Sequence, residues 1–335
     1  AINPLYGDDT DLFTARVDTN VLIIMDNSGS MNEVIYHASY DPETTYADGT
    51  YNKGYIEMFK DTAYGTIDFT VNEKTAKLYW GPGDDGSGVR YDGNYLNWIF
   101  WHATEDERNN LPQRTRIQVA RQVLTDIVNN TSGVRFGLMK FNSDHGGTVV
   151  ADCGDLKDTK DTLLNAISEM LATTATPVSE TMVEAWYYFT GGDIGDNGNP
   201  NKKSFYNNVS YQTPIKYYCQ KNFIILITDG KPFGDWTFPD WVLPAINGHY
   251  DVTPQSGNSN NPYYLDGVAW YLYNNDANSG FDGLQNVWTY PIGFNIDHPL
   301  LKRTAYNRKG LYLTAGNADQ LSAALEGVIA DIQSN

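Results

Sequence analysis

The chain has 335 residues and a formal net charge of −18, from 41 acidic against 23 basic side chains. Such a field repels phosphate backbones and anionic headgroups, which argues against nucleic acid and membrane surfaces as partners. No apolar run approaches the roughly 18 residues of a membrane span, and no basic, apolar leader opens the sequence, which fits a mature secreted chain.

Residues 1–16 lack periodicity and are expected to form an arm into a first strand over about Arg16 to Asp26. Within it Val21-Leu22-Ile23-Ile24 is an unbroken apolar run, the pattern of a strand buried on both faces of a parallel sheet. Asp26, Ser28 and Ser30 follow at spacing i, i+2, i+4 around Gly29. A carboxylate and two hydroxyls past the end of a central strand make an oxygen-rich cup of the kind that hard divalent cations prefer. The alternative for this stretch is a strand-to-helix turn whose Asp caps the next helix.

From Asn32 to Pro112 the sequence turns Tyr-, Gly- and Asp-rich and shows no long amphipathic helix, as expected of an insertion. Thr66–Val71 and Ala76–Trp80 alternate like a small hairpin about a turn at Val71–Lys74. Gly81 to Gly88 reads as a solvated loop, since its acids lack the spacing of a calcium hand. Helical periodicity follows over Thr115–Asn130, a strand over Val134–Phe141, a short strand over Thr148–Ala151 and a helix over Lys157–Leu171. Thr176-Pro177 leads into a helix at Ser179–Phe189, and 190–220 is a polar loop insertion. A second unbroken apolar run, Phe223–Ile227, ends in Thr228-Asp229-Gly230, and 233–262 is a further irregular loop. Leu265–Tyr273, His298–Tyr306 and Asp319–Ile332 read as helices, Val287–Phe294 as a strand and Leu311–Thr314 as an edge strand. Strands alternating with helices predict an α/β fold, a doubly wound, mostly parallel central sheet flanked by helices, in a single domain over 1–335 with 32–112 inserted.

Three loops thus offer hard oxygen ligands at one sheet edge: Asp26, Ser28 and Ser30; Thr176; and Asp229. The set and its order resemble the metal-ion-dependent adhesion site of von Willebrand factor A domains. That resemblance implies one divalent cation, Mg²⁺ or else Mn²⁺ or Ca²⁺, with one position left for an acidic group of a partner. Gly93-Asn94-Tyr95-Leu96-Asn97-Trp98, Val134–Leu138, Thr176-Pro177, Cys219–Asn222, Tyr290–Phe294 and Leu321–Leu325 further resemble the PilY-type adhesins at the tip of type IV pili. Membership would imply an extracellular, pilus-tip location, with pilin or minor pilin subunits and a surface or host receptor as partners. Two departures stand: Thr174-Ala175 occupy positions where that family usually has glycines, and its C-terminal β-propeller has no counterpart here.

Cys153 and Cys219 have neither metal nor redox spacing, and a lone pair in a secreted chain is expected to be a disulfide, with two buried free thiols as the alternative. An enzyme is disfavoured. His37, His102, His145, His249 and His298 show no zinc spacing, Ser28 has no signalled base, and no phosphate loop is present. Tyr36, Tyr40, Tyr46, Tyr51, Tyr55, Trp80, Tyr91, Tyr95 and Trp98 are read chiefly as packing for the insertion, with a contact surface as the alternative. The other open readings are an intracellular subunit-docking module and a structural pilus cap whose metal only steadies the fold.

Overall fold

The computed structural model describes residues 17–335 apart from 53, 55, 193–202, 252–253, 256–257 and 307–309, so the expected N-terminal arm and Tyr55 lie outside the described residues. In chain order the elements are β1 (Thr19–Met25), β2 (Ile56–Phe59), β3 (Gly65–Val71), β4 (Lys74–Trp80), β5 (Val89–Asp92), α1 (Gly93–Asn97) continued by a π-turn over Trp98–His102, α2 (Glu105–Asn109) and α3 (Arg116–Asn130). Then come β6 (Val134–Phe141), β7 (Gly147–Ala151), α4 (Leu156–Ser168), α5 (Val178–Thr190), β8 (Asn222–Thr228) and α6 (Val242–Ile246). The last elements are β9 (Pro254–Gln255), β10 (Asn258–Pro262), α7 (Leu265–Asn274), β11 (Val287–Phe294), α8 (Pro299–Tyr306), β12 (Leu313–Ala315) and α9 (Ala318–Ser334). No helix among the described residues is long and apolar enough to cross a membrane.

The fold is α/β. A six-stranded sheet has the order β12-β11-β8-β1-β6-β7, parallel throughout except for the antiparallel pair of β6 with edge strand β7. This is a doubly wound sheet: after β1 the chain moves outward on one side through β6 and β7, then returns to β8 and moves outward on the other. Winding reverses between β1 and β8, and loops leaving the carboxyl ends of these two strands diverge to open a crevice.

The apolar runs explain the layers. Successive β1 side chains point to opposite faces. Val21, Ile23 and Met25 pack with α3, α4 and α9, in a cluster that includes Ile117, Leu124, Ile167 and Leu325. Leu22 and Ile24 pack with α5, α7 and α8 through Met182, Trp186, Val268 and Leu300. Every residue of β1 and β8 is buried. Gly137 in β6 leaves room for the chain beyond β7: a Cβ there would stand 2.8 Å from both Cys153 N and Sγ.

Residues 33–111 carry their own cluster, including Val34, Leu78, Val89, Tyr91, Tyr95, Trp98 and Phe100. β3 and β4 form the expected hairpin, and Asn72 and Glu73 both take positive φ (49° and 61°), as a two-residue type I′ turn demands. Tyr40, Tyr91, Tyr95 and Trp98 are buried and Tyr36, Tyr46, Tyr51 and Trp80 half-buried, so these rings pack the segment and do not form an exposed contact surface. The 233–262 loop is less irregular than its composition predicts. Val242 and Ile246 are buried, and α6 packs on α7.

The expected disulfide is not formed. Cys153 is a buried free thiol following β7, and Cys219 an exposed one in the turn before β8. Cys153 packs against Gly137 of β6, on one side of β1, and Cys219 leads into β8 on the other. β6 and β8 are two strand spacings apart, roughly 10 Å, beyond the reach of a disulfide. Burial pushes the Cys153 thiol up to about 12. A thiol-reactive aromatic disulfide should therefore label Cys219 in the native protein and Cys153 only after denaturation. Two equivalents of rapid native labelling, or none after unfolding without reductant, would contradict this arrangement.

Candidate metal centre

β1 and β8 end side by side, and each is followed directly by an aspartate. Asp26 is fully buried; its Oδ1 accepts from Ser28 N–H at 2.8 Å and its Oδ2 from Thr228 Oγ at 2.6 Å. Ser28 Oγ and Ser30 Oγ are 2.9 Å apart, and Ser30 Oγ donates to Asp229 Oδ1 at 2.7 Å. Thr176 joins them from the third loop: a Cβ on Gly230 would lie 3.8 Å from Thr176 Oγ1 and 3.9 Å from Ser30 Oγ. The five residues singled out in the sequence are thus gathered at the switch point.

Backbone seams hold the loops. Gly29 N–H donates to Thr174 O at 2.9 Å, and Thr173 and Thr174 N–H donate to Asn27 O at 2.8 and 3.1 Å. On its other side this loop pairs with 233: Thr176 N–H donates to Phe233 O at 3.2 Å and Phe233 N–H to Thr176 O at 3.1 Å. The Asn27 side chain fastens the first loop to β6, accepting from Phe141 N–H at 2.8 Å.

Asp235 supplies what Pro177 at the N-cap of α5 cannot. Its carboxylate accepts from Ser179 and Glu180 N–H at 2.9 and 2.8 Å, capping the helix from a distant loop. Glu180 in turn accepts from Gly146, Trp236 and Thr237 N–H. Burial pushes the carboxyls of both Glu180 and Asp235 up to about 7; for Asp235 the nearby Glu180 charge adds to it.

The electrostatics turn on Arg116, the first residue of α3. Its Nη1 donates to Asp229 Oδ2 at 2.7 Å, and its Nη2 to Glu33 Oε2 at 2.6 Å and to Tyr36 OH at 3.1 Å. The guanidinium also lies 5.2 Å from the Tyr36 ring centroid. Glu33 is still pushed up to about 7, because burial outweighs the pull of Arg116. Asp26 rises to about 7 through burial and then repulsion from Asp229, opposed only by hydrogen bonds from Ser28 and Thr228. Arg116, Glu33, Asn27 and Asp235 were not read from the sequence. Of these only Asp235 left a signal, a helix opening on Thr-Pro with no side-chain cap of its own.

The insertion reaches this edge. Arg90 pairs with Asp85, and its guanidinium lies over Gly29, where a Cβ would come within 3.0 Å of Nη1. Asp84 Oδ2 accepts from Ala172 N–H at 3.1 Å and pairs with Arg121 at 3.3 Å, joining insertion, threonine loop and α3. A cleft of about 670 Å³ opens beside the threonine loop, lined by Asn27, Lys140, His145, Glu169, Thr173 and Thr174 among others.

Among the described residues no three His, Cys, Asp or Glu side chains assemble as a metal group. A cation at the crevice would therefore rest on three hydroxyls and two carboxylates. That donor set fits a hard divalent ion. The buried Asp26 carboxylate, bonded by neutral donors and repelled by Asp229, is the group such an ion would relieve.

No protein-family model matches the chain, and no curated protein matches it. Solved structures do align. The PilB minor pilin from Streptococcus sanguinis is 14% identical over 99% of this chain and 63% of that one, with a TM-score of 0.43. A von Willebrand factor type A protein from Catenulispora acidiphila is 13% identical over 91% of this chain and 40% of that one, at 0.42. The conserved hypothetical protein BatB from Bacteroides thetaiotaomicron is 11% identical over 95% and 100%, also at 0.42. At such identities and scores these likenesses carry nothing about the chemistry of the site.

Asp26, Glu33, Glu180 and Asp235 hold protons more tightly than their ordinary values of 3.8 and 4.5. Between those values and about 7 the folded protein keeps protons that the unfolded chain has released, so stability is greatest at the acid end and is lost as pH rises through about 7. In chelator, the denaturation midpoint is expected to fall between about pH 5 and about pH 8, and Glu180→Gln to flatten part of the slope. A midpoint rising over that range contradicts the burial of these groups. Arg116→Met, which strands Asp229 and Glu33, is expected to cost about 3–5 kcal/mol at the alkaline end.

Proposed function

We propose that the chain is a von Willebrand A-type binding module, not an enzyme, in which Asp26, Ser28, Ser30, Thr176 and Asp229 hold one divalent cation that captures an acidic group of a partner. The observation that carries this reading is the continuous contact from Asp26 through Ser28 and Ser30 to Asp229, with Thr176 beside it, at the switch point of the sheet. The three hydroxyls are uncharged, so a bound ion would keep much of its positive charge and invert the local field of a protein with net charge −18. Without such an ion that field repels an acidic ligand.

The finer assignment, an adhesive module at the tip of a type IV pilus that meets pilin or minor pilin subunits and a surface receptor, is part of this proposal. It is supported by the sequence resemblance, whose most specific segment, Gly93–Trp98, forms α1 and the start of its π-turn. A second reading has an observation of its own. Asp26, Ser28 and Asp229 are buried and Arg116 already pairs with Asp229, which suits an ion that steadies a structural pilus-tip component.

Calorimetry with Mg²⁺, Mn²⁺ and Ca²⁺ on the wild type and Asp26→Ala tests the site. At an ion concentration about 100-fold above Kd the wild type should gain about 2.7 kcal/mol of stability and Asp26→Ala none. Equal ion binding by both proteins, or none by the wild type, would sink the metal centre. If the ion stabilises the protein but an acidic partner or a surface binds equally well in chelator, the adhesive reading fails and the structural one stands.

A further inference from the structure

A second cleft lies at the same carboxyl edge, one strand beyond β8, where the end of β11 meets the insertion and the start of α9. Its volume is about 230 Å³, and its lining includes Tyr36, His37, Tyr40, Asn295, Asn317 and Gln320, with no Asp, Glu, Lys or Arg. Asn295 follows β11 in the left-handed region, with φ 59°, and its N–H donates to Ala315 O at 2.7 Å. Both polar atoms of its side-chain amide are buried without a hydrogen-bond partner among the described residues. A buried amide left so costs free energy, and such a group calls for a ligand.

The Asn295 and Gln320 amides both lie beside Gly316. A Cβ on Gly316 would lie 3.2 Å from Gln320 Oε1 and 4.0 Å from Asn295 Oδ1. Two amide oxygens are spent at the start of α9: Asn317 Oδ1 accepts from Gln320 N–H at 2.9 Å and Gln320 Oε1 from Gly316 N–H at 2.7 Å. The oxygens are thus engaged within the turn, and the amide nitrogens of Asn317 and Gln320 remain as donors. On the insertion side Tyr36 and Tyr40 meet edge to face with centroids 4.8 Å apart, and His37 stacks on Trp98.

These features narrow the ligand. A cation finds no carboxylate, and an anion finds no lysine or arginine among the lining residues. A purely apolar molecule would leave the amides unpaired. A neutral ring with hydroxyls around its rim and an apolar face satisfies both walls. The volume lies below the roughly 300–1,000 Å³ of pockets for drug-sized ligands, which sets the size at a single ring. A neighbouring cleft of about 400 Å³ shares Tyr36, His37, Ala38 and Asn317, giving a chain attached to that ring a way out.

We propose that this cleft binds a neutral monosaccharide unit, free or as the end of a neutral glycan, with Asn295, Asn317 and Gln320 bonding its hydroxyls and Tyr36, His37 and Pro42 lining its apolar side. The site shares no ligand with the metal centre, so it is tested in chelator and again in Asp26→Ala.

The probes are methyl glycosides of glucose, galactose, mannose and N-acetylglucosamine, the corresponding disaccharides, and sialic acid as a charged control, read by saturation-transfer NMR and tyrosine fluorescence. At least one neutral glycoside should bind saturably in chelator and in Asp26→Ala, with sialic acid inert. Tighter binding of the matching disaccharide assigns the natural ligand as a glycan end, and equal binding assigns it as a free sugar. Asn295→Asp, nearly the same shape, should lose about tenfold or more, because it replaces an amide donor with a buried charge. Ala38→Trp, which fills the mouth from an exposed position, should block binding even if Asn295→Asp folds poorly. Absence of saturable binding by every neutral probe, or binding unchanged in both variants, overturns the proposal.

Discussion

Two carboxylates end adjacent strands where the sheet reverses its winding, and much of the architecture follows from keeping them there. Like charges in a buried crevice repel more strongly than they would in water. Asp229 is answered by Arg116; Asp26 is answered by uncharged donors of Ser28 and Thr228. Arg116 can reach Asp229 because α3 begins where the insertion ends, and Glu33 sits where the insertion begins. One guanidinium therefore ties the point of departure of the insertion, its point of return and the end of β8. The charge balance of the crevice is a property of the whole junction.

The loops that carry the hydroxyls are positioned by backbone and not by the hydroxyls themselves. Asn27 and Phe233 flank the threonine loop with main-chain hydrogen bonds, and Asp235 fixes the helix that follows it. Ala175, where the resembled family usually carries glycine, is accommodated between these seams. Among the described residues the hydroxyls of Ser28, Ser30 and Thr176 add only one tie between loops, from Ser30 to Asp229.

Most of the sheet was legible in the sequence because burial on both faces writes itself as unbroken apolar runs, and Val21–Ile24 and Phe223–Ile227 read no other way. The five crevice residues were legible for the same reason: they stand at the ends of those runs or beside a helix start. Arg116, Glu33 and Asp84 were not. Their roles depend on where an 80-residue excursion closes, which no local pattern encodes. The disulfide expectation failed at the same level. Cys153 and Cys219 are near elements of one sheet, but only strand order shows that β1 lies between β6 and β8. In the 233–262 loop, proline and asparagine masked the short helix α6, whose stability comes from packing on α7 and not from propensity.

The two ends of the insertion lie side by side. Val34 and Thr115 form an antiparallel bridge, Ile35 N–H donates to Arg114 O at 3.1 Å, and Arg116 N–H donates to Glu33 O at 2.8 Å. The chain re-enters the body within a hydrogen bond of where it left, and the segment between has its own apolar cluster. The entropic cost of closing the excursion grows only logarithmically with its length, by about 0.6 kcal/mol per doubling. The length of the excursion thus adds little to the cost of folding, and what its sequence has to keep are the contacts it returns to the crevice, Arg90 over Gly29 and Asp84 to Ala172 and Arg121.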